Sequence, residues 1–188
     1  MGNISSGSSL PVVSRVEDPT TLTKYLPSLQ HLLQRCVNDD PASSSIGFLA
    51  PLSDDIAIRH WLDLQPSISG SRPENTLLVA TVGDDFVIAT VVIARALKQT
   101  HAYKGEIRKL LVHPDVRRGG LGRAMMEEAE RVAREELAIE MLVLDTATAT
   151  PARLFYLKTG WTEWGICPGY AMDAAGNKHD CSFFFKRL

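Results

Sequence analysis

The chain has 188 residues and a mass of 20.7 kDa, with 45% hydrophobic and 22% charged residues, enough for one substantial core and short for two. Its formal charge of -2 and isoelectric point near 6.2 exclude a general affinity for nucleic acid, which needs a concentrated basic face. Cys36, Cys167 and Cys181 are too widely spaced for a disulfide framework or a metal knuckle, the five histidines never fall at metal-ligand spacing, and no apolar run could cross a bilayer. A cytoplasmic domain with no metal and no membrane span is expected.

Residues 1–9, MGNISSGSS, predict a flexible tail that lacks the apolar centre of a signal peptide, and they also match the N-myristoylation pattern at Gly2 with Ser6. The remainder, 10–188, reads as one domain. A strand is expected over 10–16, then a helix over 21–37, where Leu22, Leu26, Leu29, Leu32, Leu33 and Cys36 recur at helical spacing. A Pro/Ser/Gly-rich loop at 41–52 leads to Ser53, which suits the start of a second helix. Two β-branched runs between 72 and 97, joined at Gly83, Asp84 and Asp85, signal a hairpin.

Residues 105–113, GEIRKLLVH, alternate and then turn apolar, as a central strand covered on both faces does. A helix follows from Leu121, with apolar residues through Leu137 on one side and glutamates and arginines on the other. Another buried strand is expected at 140–146. The next helix is punctuated by Thr150, Pro151 and Gly160, and two further strands flank a turn at Gly176 and Asn177. The order β α α β β β α β α β β defines an α/β domain with a mixed six- to seven-stranded sheet and about four helices.

The connection between the central strand and its helix holds Arg117, Arg118, Gly119, Gly120, Leu121, Gly122 and Arg123. Glycines there let the main chain approach an anion while N–H groups and the positive end of the helix dipole face it. No P-loop lysine follows, and no GxGxxG with an acidic residue about 20 positions on is present. A tight turn in which glycine merely avoids a clash is the plainer alternative.

What is written, Arg117-x-x-Gly120-x-Gly122, resembles the [QR]xxGx[GA] turn of the GNAT superfamily of acyl-CoA N-acyltransferases. The run IRKLLVHPDVRRGGLGRAMMEEAE, the later ARLFYLKTGW and the order of elements extend that resemblance from about residue 10 to the C-terminus. Within the superfamily, EIRKLLVHP, LDT, PGYAM and HDCSFFFKRL look most similar to the tabtoxin-resistance acetyltransferase and its bacterial and fungal relatives. The resemblance implies a single-domain GNAT fold and acetyl-CoA as cosubstrate. It assigns Lys109, Leu110, Leu111 and Val112 to the pantetheine and acetyl carbonyl, and residues 117–123 to the pyrophosphate. It also implies that Glu106 and Asp145 draw a proton from the acceptor, and that Tyr156 protonates the departing thiolate. The place seven residues before Tyr156, asparagine in many members, is Ala149.

The expected acceptor is a small amino-acid-like or antibiotic-like amine or hydroxyl, walled by the loop 44–52 and the helix 53–64 with Phe48, His60 and Trp61. Acetylation of a peptide or protein, or acetyl-CoA binding without turnover, are the alternatives. The protein is expected as a monomer or homodimer.

Overall fold

The computed structural model describes residues 11–39, 47–83 and 85–188. The tail at 1–9 with its acylation pattern, Leu10, the stretch 40–46 and Asp84 of the hairpin lie outside the described residues.

Seven strands form one sheet: β1 (Val12–Val16), β2 (Asn75–Val82), β3 (Phe86–Arg95), β4 (Lys104–Val112), β5 (Met141–Ala147), β6 (Thr162–Met172) and β7 (Lys178–Arg187). Their order is β1-β2-β3-β4-β5-β7-β6. All neighbours are antiparallel except β4 and β5. The C-terminal strand is therefore inserted between β5 and β6 of its own chain.

Helices α1 (Pro19–Asn38) and α2 (Asp54–Leu62) cover one face, and α3 (Leu121–Glu135) and α4 (Pro151–Lys158) the other. Helix α1 begins two residues before the expected start at 21, because the Asp18 side chain accepts from the N–H groups of Thr20 and Thr21 at 2.8 and 3.0 Å and Pro19 suits the first turn. Its stripe of Leu22, Leu29, Leu32, Leu33 and Cys36 is buried against Leu77, Val79, Val92 and Leu111 of the sheet. Helix α3 buries Met125, Met126, Ala129, Val132 and Ala133, while Arg131 on its solvent side bonds Glu128, Glu135 and Glu136.

Two irregularities position the site. Strands β4 and β5 pair over three positions, Lys104 with Met141, Gly105 with Leu142 and Glu106 with Val143, and then part. Beyond Glu106, β4 stays with β3 and β5 stays with β7, so a gap opens in the middle of the sheet. In the same stretch β4 carries a bulge: Thr90 faces Leu111 and Val92 faces Arg108, which sets Lys109 and Leu110 against the single residue Val91. Lys109 takes a left-handed φ of 48°, and the buried Thr90 hydroxyl donates to its carbonyl at 2.9 Å. A non-glycine residue there costs on the order of 1–3 kcal/mol, a strain that surrounding structure must hold.

Among the described residues no helix is long and apolar enough to cross a membrane, and no group of three or more His, Cys, Asp or Glu side chains could hold a metal ion.

Candidate active site

The turn from β4 to α3 begins with a single turn of 3-10 helix, Pro114–Val116, whose N-terminal end is capped by the buried His113 ring accepting from the Asp115 N–H. Arg118 and Gly120 then take left-handed φ values of 67° and 87°. The reversal leaves residues 118–120 exposed at the start of α3. No side chain caps the N-terminus of α3. An exposed main chain at a helix start with no side-chain cap, and Arg118 and Arg123 exposed beside it, suits a pyrophosphate. Arg117 departs from the expected rim: its Nε donates back to the Val112 carbonyl at 3.0 Å and its Nη2 lies 3.6 Å from Cys36 Sγ. The guanidinium stitches the turn to β4 and α1.

Glu106 and Asp145 stand on the two strands that part. Glu106 pairs with Val143, two residues before Asp145 on β5, so both acids face the side of the sheet that carries α1 and α2. Their surroundings differ. The Glu106 carboxylate is ion-paired with the exposed Arg108 guanidinium. Asp145 is half-buried, and its carboxyl is raised above the usual carboxylate range, chiefly by burial. A bond from the Cys181 thiol at 3.5 Å works against that shift, and the charge of Glu106 adds to it. Cys181 is itself fully buried, and burial first, then the Asp145 charge, push its thiol up to about 12.

Tyr156 is 7% exposed and packs against Phe155, Trp161 and Phe184. The ring packs in the core while the hydroxyl feels Asp145: burial raises its pKa and the charge of Asp145 raises it further. Lys109 points its ammonium toward the loop before α2, 4.6 Å from the centre of the Phe48 ring, and burial lowers it to about 8. His60 meets Phe48 edge-on at 5.1 Å, and burial with nearby Lys109 lowers it to about 4.

Trp61 does not join that wall. It is fully buried and donates its indole N–H to the Leu29 carbonyl at 3.0 Å, locking α2 onto α1. Aromatic surface comes instead from the far side of the gap, from residues that sequence reasoning does not single out. Phe183 is the cross-strand neighbour of Asp145, Tyr170 stands edge-on to it at 5.1 Å, and Trp164 tilts against Phe185 at 6.2 Å. Asp145 is the leading cause of a raised hydroxyl pKa at Tyr170, which places that phenol on the acidic side of the cleft.

Residues 73–163 match the family model described as an acetyltransferase (GNAT) domain. A GNAT-family acetyltransferase from Streptococcus pneumoniae has a similar structure, with a TM-score of 0.73 at 17% identity over 95% of this chain and 100% of that one. The ribosomal-protein-S18-alanine N-acetyltransferase from Escherichia coli gives 0.65 at 21% identity over 95% and 94%. A provisionally assigned phosphinothricin N-acetyltransferase gives 0.70 at 20% identity over 94% and 99%. Fold and matched domain define the class: the chain has the GNAT fold and carries a GNAT acetyltransferase domain. The protein is an acetyltransferase. Acetyltransferases of this superfamily use acetyl-CoA.

Proposed function

We propose that the protein acetylates the amine of a small amino-acid-like or antibiotic-like molecule directly from acetyl-CoA, in the manner of the tabtoxin-resistance acetyltransferases, and does so in the cytoplasm. The observation that carries this reading is the half-buried Asp145 across the gap from Glu106, on the far side of which the bulged strand runs into the cradle at residues 117–122. Bound acetyl-CoA supplies an activated thioester. The exposed main chain of residues 118–120 at the start of α3, with Arg118 and Arg123 beside it, would hold its pyrophosphate, and the main chain of Lys109, Leu110, Leu111 and Val112 would flank its pantetheine.

The residues of the chain divide the proton transfers. An alkylammonium has a pKa of about 10, so the acceptor must lose a proton before it attacks. Asp145 takes that proton: burial keeps its carboxylate more basic than an exposed aspartate, and a stronger base lies closer to the acceptor's own pKa. Glu106, held by Arg108, contributes chiefly negative charge that attracts the ammonium form. Tyr156, protonated at neutral pH as any tyrosine is, donates its proton to the departing sulfur; burial and Asp145 raise its hydroxyl further above a thiol's pKa of about 8.5, so the transfer is uphill and the phenolate regains a proton afterwards.

A cavity of about 470 Å³ adjoins Glu106, within the range of small-molecule sites, roughly 300–1,000 Å³. That size favours a small acceptor. A peptide N-terminus is the second reading, favoured by the exposed Trp164, Ile166 and Tyr170 along edge strand β6. Thiol release from acetyl-CoA across amino acids, dipeptides, polyamines, aminoglycosides and short peptides separates the two. A small-molecule hit weakened by Asp145→Asn and Tyr156→Phe supports the first reading, and turnover confined to peptides replaces it with the second. Acetyl-CoA binding without any turnover would make the chain a binding module.

A further inference from the structure

We infer that the acceptor carries, besides its amine, a negatively charged group, and that this group is seated at Lys104 in the cavity below Glu106. The inference deepens the acetyl-transfer reading and rests on it. Lys104, Glu106 and Arg108 alternate along β4 and so share one face of the sheet, and all three line the cavity. Trp164, held against Phe185, forms an apolar wall on the same side.

The cavity's charge is opposite in sign to that of the chain. Its lining includes four cationic residues, Arg95, Lys98, Lys104 and Arg108, and two acidic ones, Glu74 and Glu106, an excess of two positive charges in a protein whose formal charge is -2. Arg108 is engaged by Glu106. Among the described residues Lys98 and Lys104 form no ion pair, and the Arg95 Nε is buried without a hydrogen-bond partner. A polycation such as a polyamine or aminoglycoside would meet repulsion here. An amine that carries its own carboxylate, sulfonate or phosphonate is complementary: its ammonium faces Glu106 and Asp145, and its anion faces Lys104.

The strand sets the spacing. Glu106 and Lys104 are two residues apart, about 7 Å along an extended strand, so the acceptor's amine and anion should be separated by a similar distance. A flat or apolar body between them would lie against Trp164.

The test uses two probes of the same shape, 4-(2-aminoethyl)benzoate and 4-(2-aminoethyl)benzamide, with the full-length protein saturated with acetyl-CoA at low salt. The benzoate is expected to have a KM about tenfold lower than the benzamide, an ion pair of moderate strength. Lys104→Met is expected to collapse that difference by raising the benzoate KM, and added salt to shrink it. Equal KM values in the unaltered protein, or a difference that survives Lys104→Met, would overturn the inference. If neither probe is acetylated, quenching of tryptophan fluorescence, with Trp164→Phe as the control, compares their binding. Tighter binding of the benzoate then upholds the anion seat independently of transfer, and equal or absent binding overturns it.

Discussion

The Thr90 hydroxyl donates to the Lys109 carbonyl at 2.9 Å, tying the middle of β3 to the one β4 residue whose backbone is left-handed. The bond spans the bulge that interrupts the β3–β4 ladder, on the strand that borders the gap. Thr90→Val keeps the shape of a fully buried residue and leaves the carbonyl without this donor. Losing a buried partner costs about 1–3 kcal/mol. We expect a lower denaturation midpoint and a higher KM for acetyl-CoA, with Thr90→Ser restoring both. A Thr90→Val protein with unaltered acetyl-CoA affinity would detach the bulge from cofactor binding.

Gly120 separates conformation from charge. Its φ is 87° and no atom lies within 4 Å of the place a Cβ would take, so alanine there meets backbone strain without a clash. That strain is roughly 1–2 kcal/mol, so Gly120→Ala should lower the melting temperature while still binding acetyl-CoA. Gly120→Glu adds bulk and negative charge where the pyrophosphate is proposed to sit and should abolish binding by calorimetry. Equal binding by the two variants would remove the cradle from its assigned role.

Asp145 predicts a pH signature of definite sign. Its carboxyl is raised above the ordinary 3.8, mainly by burial, so the base form is lost on acidification at a pH above that value. The acid limb of kcat/KM should therefore lie above 3.8, and the residual activity of Asp145→Asn should lack it. For stability, a carboxyl that binds its proton more tightly when folded favours the fold at low pH, and that contribution is lost as pH rises through the folded pKa. Asp145→Asn should accordingly melt higher than the parent at neutral pH and lose that advantage in acid. Glu106→Gln, at a residue already paired with Arg108, should cost less in kcat than Asp145→Asn.

Much of this architecture is legible in the chain because local chemistry and tertiary packing agree. The apolar run into Val112, the glycines at 119, 120 and 122 and the amphipathic stretch after Leu121 each specify their own element. The bulge is silent, since its left-handed position holds lysine rather than glycine or asparagine, and its partner is the Thr90 hydroxyl on another strand. Trp61 and His60 are adjacent on a helix, so which one faces the cleft depends on how α2 rotates onto α1. Ala57, one turn earlier and fully buried, carries that signal. Trp164 and Tyr170 escape sequence reasoning because β6 pairs with β7 through two register shifts, so simple alternation does not reveal which residues face Asp145. Arg117 reads as surface charge until its reach to Val112 and Cys36 is seen.

Tyr156 has a dual part that one conservative change can divide. Tyr156→Phe keeps the ring contacts with Phe155, Trp161 and Phe184 and removes the hydroxyl. We expect a melting temperature near that of the parent and a fall in kcat of about 10²–10⁴, the usual value of a general acid, with acetyl-CoA affinity retained. A large loss of stability with little change in kcat would leave Tyr156 as a core residue.

That Asp145 receives the acceptor's proton beside a cofactor held at residues 117–122 is tested most directly by thiol release from acetyl-CoA with the parent protein and Asp145→Asn, alongside calorimetry of acetyl-CoA binding to both. Asp145→Asn is expected to bind acetyl-CoA as the parent does and to transfer acetyl at least about a hundredfold more slowly. Transfer at the parent rate by Asp145→Asn would contradict that role for Asp145.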